Sequence, residues 1–157
     1  MQQTKQLVTE FHQRIGAPVA SSPRLLPCDQ GQARKSARLL RDLLTAIGET
    51  KTSGDELNSR LRLAIEELAE WVEAHADSNL VAAADAWGDR LYVLMGDAVA
   101  AGLPVVSIFD EVHRSNMTKD SPHDASGKGV KQVDFRSPDL ESVLDQEVKR
   151  TSSKSTT

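Results

Sequence analysis

The chain has 157 residues, with 19 Lys and Arg against 23 Asp and Glu, for a formal net charge of −4. That length suits one domain with a modest core of its own, and the acidic balance argues against a general nucleic-acid binder. Cys28 is the only cysteine, which excludes an intramolecular disulfide and a thiolate zinc site and leaves a buried or incidental thiol.

Leu7, Val8, Phe11 and Ile15 recur at helical spacing, so Gln3 to Ile15 is expected to form a helix that stops at Gly16. Phe11 packs in that reading and His12 lies near the surface; with Trp71 and Trp87 they are the only candidates for touching a base. Both tryptophans read first as core residues, and the sequence assigns no base-binding residue. The stretch APVASSPRLLPCDQG carries three prolines and reads as an extended connection. A second helix follows from Gln32 to Ile47, with Ala37, Leu40, Leu44 and Ile47 inward and Gly48 as its stop. Arg34, Lys35, Arg38 and Arg41 make one side of it positive, which is either a solvated face or a counter-charge for a polyanion. ETKTSGDELN reads as a loop in which Ser53 or Asp55 caps the next helix.

The centre of the chain is a helical hairpin, LRLAIEELAEWVEAH and then VAAADAWGDRLYVLMGDAVAAG, with a short joint from Ala76 to Asn79. So short a joint forces the helices antiparallel and sets Glu70 opposite Asp85 and Glu66 opposite Asp89. On the first helix Leu57, Leu61, Ala64, Leu68 and Val72 form the expected core stripe, with Glu66, Glu67 and Glu70 on the other side. That pattern alone describes a solvated acidic face. The second helix is apolar around nearly its whole circumference, as a helix buried on most sides is, and it carries Asp85 and Asp89 on one face. Buried carboxylates without partners are costly, and converging hard oxygen donors suit Mg²⁺ or Mn²⁺.

Beyond Pro104, VVSIFDEVHRSNMTK reads as a helix with Ser107 as its cap and His113, Arg114, Asn116 and Lys119 at its far end. Cations there complement the helix dipole, and they are equally what a phosphate site requires. DSPHDASGKGVKQVDFRSPDL reads as loop, in which Lys128 and Lys131 are cations able to close over an anion. SPDLESVLDQEV reads as a terminal helix capped by Ser137, and KRTSSKSTT as a disordered end. The expected organisation is one domain over residues 1–145 with a tail over 146–157. No run approaches about 18 uninterrupted apolar residues, and the polar N-terminus does not read as a signal peptide. A soluble, cytoplasmic protein is expected.

EELAE at Glu66, Glu67 and Glu70, then DAWGDRLYVLMG, then FDEVHRSNMTK with a trailing GKGVK and SPDL, resemble the all-α nucleoside triphosphate pyrophosphohydrolases of the MazG-like group, including its dimeric dUTPase-like members. The resemblance covers Leu57 to Leu140. It implies an all-α bundle and Mg²⁺-dependent cleavage between the α and β phosphates, giving a nucleoside monophosphate and pyrophosphate; Mn²⁺ is an expected substitute. By position, Glu66, Glu67 and Glu70 match the acids of the first metal helix and Asp89 the last acid of the second. The group's ExxD pattern calls for Glu at position 86, where this chain has Ala86; Asp85, on the same side as Asp89, is the substitute within reach.

Held by these five acids, divalent ions would neutralise phosphate charge and present a water, with Glu66 or Glu67 accepting its proton. Arg114, Asn116 and Lys119, and less directly Lys128 and Lys131, would hold the departing pyrophosphate. The substrates expected first are dUTP or a guanine nucleotide such as dGTP. Covering the apolar second helix calls for a homodimer or homotetramer. The rival reading is a helical adaptor whose acidic site has decayed, with Ala86 as its mark. A di-iron carboxylate protein requires Glu-x-x-His pairs that the hairpin's acidic core lacks.

Overall fold

The computed structural model describes residues 1–48, 55–123, 129–131 and 133–154. Ser53 and Lys128, both named above, lie outside them. The fold is all-α apart from one short ribbon: α1 (Gln2–Ile15), α2 (Gln30–Ile47), α3 (Glu56–Ala76), α4 (Leu80–Ala101), α5 (Val105–Asn116), β1 (Asp120–His123), β2 (Gly129–Val130) and α6 (Leu140–Lys154). These elements form two compact units, Ser22–Ala101 and Met1–Ser21 with Gly102–Thr157.

In the unit Ser22–Ala101, α3 is central, with α2 packed on it and α4 packed on it. Each helix end is specified locally. The Asp29 side chain accepts from Gln32 N at 2.7 Å and the Asp55 side chain from Asn58 N at 3.0 Å, so Asp55 is the cap of α3. At the far end of α2 the chain turns left-handed at Gly48 (φ 70), and Arg62 donates to the carbonyls of Gly48 and Leu44. Between α3 and α4 the reversal takes three residues: Asn79 N donates to Ala74 O at 2.9 Å, Ser78 adopts φ 56, and Asn79 Oδ1 accepts from Ala82 N at 3.1 Å. The joint is as short as the sequence implied, which fixes α3 and α4 antiparallel.

Small residues fill the core of this unit. Ala37, Ile65, Ala69, Ala74, Ala76, Ala83 and Ala86 are buried, and alanine at a helix contact lets the backbones approach closely. Two expectations are corrected here. The buried side of α3 runs through Ile65, Ala69 and Ala76, whereas Leu57 (81% exposed) and Leu61 lie open. Only Ala83 and Ala86 of α4 are buried; Val81, Trp87, Tyr92, Leu94 and Val99 are exposed, so Trp87 is not a core residue of the single chain. The apolar stripe read as core is therefore a second, outward face. Cys28 is exposed as well.

In the other unit, α1 packs on β1 and α5, and α5 on α6. Gly16 (φ 69) ends α1, and Ile15 just before it is 2% exposed. A Cβ on Gly129 would stand 3.1 Å from Ile15 Cγ2 and 3.2 Å from Lys119 Cβ, so glycine lets β2 lie here without displacing either side chain. The expected loop after Lys119 contains this antiparallel ribbon, with Asp120 paired to Val130 and His123 to Gly129. Ser107 lies inside α5, which starts after Pro104 without a side-chain cap. Ser137 does not cap α6, which starts at Leu140. Ser137 O accepts from Arg114 at 3.2 Å, which holds it before the helix, and Asp139 caps instead through Ser142 N at 3.1 Å. α6 continues through Lys154, so residues 146–154 of the expected tail are helical. No single described helix is long and apolar enough to cross a membrane.

Candidate active site

Glu66, Glu67 and Glu70 fall on α3 and Asp85 and Asp89 on α4, and the antiparallel packing gathers them around Glu67. Glu66 and Glu67 are half-buried; Glu70, Asp85 and Asp89 are exposed. Burial pushes the Glu67 carboxyl above the ordinary carboxylate value, and the fields of Glu70, Asp89, Glu66 and Asp85 push it further. The other four acids named from the sequence thus act on the carboxyl group of the fifth. Glu67 Oε2 is buried and has no hydrogen-bond partner among the described residues.

A buried carboxylate oxygen left unpaired costs more than one that water or a donor satisfies. A hard cation is the partner that its surroundings would accept, since the charges that shift Glu67 are those of the carboxylates Glu70, Asp89, Glu66 and Asp85. Among the described residues, no three His, Cys, Asp or Glu side chains already converge as a metal site. Exposed carboxylates such as Glu70, Asp85 and Asp89 turn about their side-chain bonds at little cost, so the donor set fits a divalent ion without being closed on one. Ala86, where the resemblance calls for Glu, is buried, and a carboxylate there would pay for desolvation. Asp85 is exposed and lies within the field that reaches Glu67.

Sequence reasoning missed two partners of this cluster. Arg41 on α2 bonds Glu73 fork to fork, Nε to Oε1 at 2.9 Å and NH2 to Oε2 at 2.7 Å, and the same NH2 stands 3.8 Å from Glu70 Oε1. The hydrogen bond from Arg41 holds the Glu73 carboxyl below the usual range. Glu73 extends the spacing Glu66, Glu70, Glu73 along one face of α3, a signal present in the sequence. Arg34 is likewise engaged, with Ala76 O at 3.0 Å and Asp77 at 3.3 Å. Of the basic face of α2, two members are therefore internal partners.

Trp71 stacks under the Arg90 guanidinium, 4.6 Å from its ring centroid, and its own ring lies 4.5 Å from that of His75. Asp89 precedes Arg90 and Glu70 precedes Trp71, so this contact ties the two acidic helices together beside the cluster. Trp71 is occupied from within.

The expected phosphate ligands belong to the other unit. Arg114 bonds Glu111 at 2.7 and 2.6 Å, and Glu111 also accepts from Asp139 N at 2.5 Å, so Arg114 acts as an anchor for the start of α6. Lys119 Nζ donates to Asn116 Oδ1 at 2.6 Å and lies 5.9 Å from the Phe11 ring centroid. Lys131 is exposed, 4.6 Å from the ring centroid of Phe135. His12 is half-buried, its Nδ1 3.0 Å from Pro18 O.

A family model described as phosphoribosyl-ATP pyrophosphohydrolase matches residues 37–116, which hold α3, α4 and α5 and all five acids. A search of curated proteins finds no match. Among solved structures the chain is similar to a putative NTP pyrophosphohydrolase from Exiguobacterium sp. 255-15, at 27% identity over 97% of both chains with a TM-score of 0.55.

Proposed function

Because the chain belongs to the phosphoribosyl-ATP pyrophosphohydrolase family, we propose that it is a metal-dependent nucleotide pyrophosphohydrolase that cuts a (deoxy)nucleoside triphosphate between its α and β phosphates. The observation that carries the metal is the buried, unpartnered Glu67 Oε2 amid four further carboxylates. Mg²⁺, or Mn²⁺ in its place, held by Glu66, Glu67, Glu70, Asp85 and Asp89 would screen phosphate charge and lower the pKa of a bound water. Glu66 and Glu67 are the half-buried members of the set, and one of them accepts the proton of the attacking water. Asn116, Lys119 and Lys131 remain candidates for phosphate contact on their chemistry, Lys128 by sequence alone. Arg114 would first have to leave Glu111.

Substrate choice has two readings. The resemblance in sequence favours a pool nucleotide such as dUTP or dGTP, and the family match favours phosphoribosyl-ATP, which carries the same α–β linkage. The exposed face of α3 and α4 supports a homodimer or homotetramer, since Leu57, Leu61, Trp87 and Leu94 would otherwise remain in water.

Phosphorus NMR of the products tests the bond that is cut. A nucleoside monophosphate with pyrophosphate supports the proposal; a diphosphate with orthophosphate rejects cleavage between α and β. A protein that hydrolyses neither substrate class with Mg²⁺ or Mn²⁺ would fit the decayed adaptor instead.

A further inference from the structure

Glu73 lies three residues beyond Glu70 and seven beyond Glu66, on the face of α3 that carries the acidic cluster. It lines two clefts. One, of ≈ 270 Å³, also contains Glu70, Asp85 and Ala86; the other, of ≈ 310 Å³, contains Arg34, Arg38 and Arg41. By spacing alone Glu73 is a sixth carboxylate for the cluster. Both its oxygens are instead bonded by Arg41, whose NH2 also stands 3.8 Å from Glu70 Oε1.

An anion site on the arginines is the competing use of this cleft. Asp42, Glu73 and Asp77 line it with Arg34, Arg38 and Arg41, so its charges balance and it has no excess to offer a phosphate. The fork geometry on Glu73 accounts better for Arg41.

Resting on the metal-dependent reading above, we infer that Arg41 is a positioning residue that withholds Glu73 from the metal ligands and leaves Glu70 available among them. The bidentate pair fixes the Glu73 side chain toward α2. Glu70 receives the weaker contact and stays available.

The inference assigns opposite signs to two substitutions, and Mn²⁺ binding followed by calorimetry on the full chain reads both without turnover. Arg41→Met frees Glu73, so Mn²⁺ should bind about five- to tenfold more tightly, a modest gain because both side chains are partly exposed and screened. Glu73→Gln lets Arg41 turn to Glu70, so Mn²⁺ should bind more weakly than to the wild type. In Arg41→Met with Glu73→Gln the tightening should vanish. A purely structural pair would lower thermal stability in both variants and shift Mn²⁺ affinity the same way in each, which overturns the inference. So does unchanged affinity with a raised KM in Arg41→Met, the signature of a phosphate ligand. If Arg41→Met does not fold, Glu73→Gln alone decides, since equal or tighter binding there contradicts the inference. No Mn²⁺ binding by the wild type would remove the metal reading itself, and this inference with it.

Discussion

Arg60 on α3 bonds Asp97 on α4 at 2.6 Å, and on the way its guanidinium crosses Gly96, where a side chain would collide with it. A second donor reaches Val93 O at 2.5 Å. The contact couples the α3–α4 hairpin at the end away from the joint, where the core side chains are few.

Removing Arg60 should therefore loosen the hairpin. Arg60→Ala is expected to cost about 1–2 kcal/mol, the range for charge-assisted bonds that solvent partly screens. Gly96→Ala should also destabilise the protein, because the methyl displaces Arg60. In the Arg60→Ala background the same change should stabilise by about 0.5–1 kcal/mol, the ordinary preference of a helix for alanine over glycine. Urea unfolding of the four proteins checks the reversal of sign.

Glu67 makes the metal-free fold sensitive to pH. Its folded-state pKa lies above the ordinary carboxylate value, so the folded state holds a proton that the unfolded chain releases. Stability should fall as pH rises from the unfolded value through the raised one, and stay lower at neutrality. Glu67→Gln should abolish that slope and raise the neutral-pH Tm measured with EDTA present. Mn²⁺ should raise the Tm of the wild type more than that of Glu67→Gln. A wild-type Tm indifferent to Mn²⁺ would contradict the assignment.

Glu111 has the opposite sign. Hydrogen bonds from Arg114 and then from the Asp139 backbone bring its pKa down to about 2. Its contribution is present above the unfolded carboxylate value near 4.5 and is lost as pH falls from there toward about 2. Acid should release the start of α6 in that window, and Glu111→Gln should release it at neutral pH. Hydrogen exchange at Ser142, whose amide Asp139 caps, reports the change.

The exposed apolar face predicts association. Leu61 and Leu94 are exposed on α3 and α4, and the clefts they line share Ala64 and Asp97. Sedimentation of the wild type at micromolar concentration should show a dimer or tetramer, and Leu94→Asp should shift it toward monomer. A monomeric wild type would refute the oligomer.

What the sequence made legible was local. Gly16 and Gly48 marked two helix ends, and a joint of a few polar residues forced α3 and α4 antiparallel, which brought Glu67 and Asp89 into range of each other. Periodicity failed where two faces of one helix were both usable. Leu57, Leu61 and Ala64 form a regular stripe, yet α2 and α4 pack on the side of Ile65 and Ala69, because alanine there permits close approach and the leucines are left outward. The pairing of Arg41 with Glu73 was invisible for a different reason. It joins residues 32 apart on two helices, and nothing in either segment sets their relative rotation. Asp139 displaced Ser137 as a cap through a tertiary contact from Arg114 that no local pattern encodes.

The most direct test of the central claim is pyrophosphate release from phosphoribosyl-ATP and a panel of ribo- and deoxyribonucleoside triphosphates that includes dUTP and dGTP. Each would be run with Mg²⁺, with Mn²⁺ and with EDTA, beside Glu67→Ala. The account predicts turnover that requires the metal, favours one substrate and drops at least about 100-fold in the variant. Turnover that persists in EDTA, or in Glu67→Ala at the wild-type rate, would contradict it.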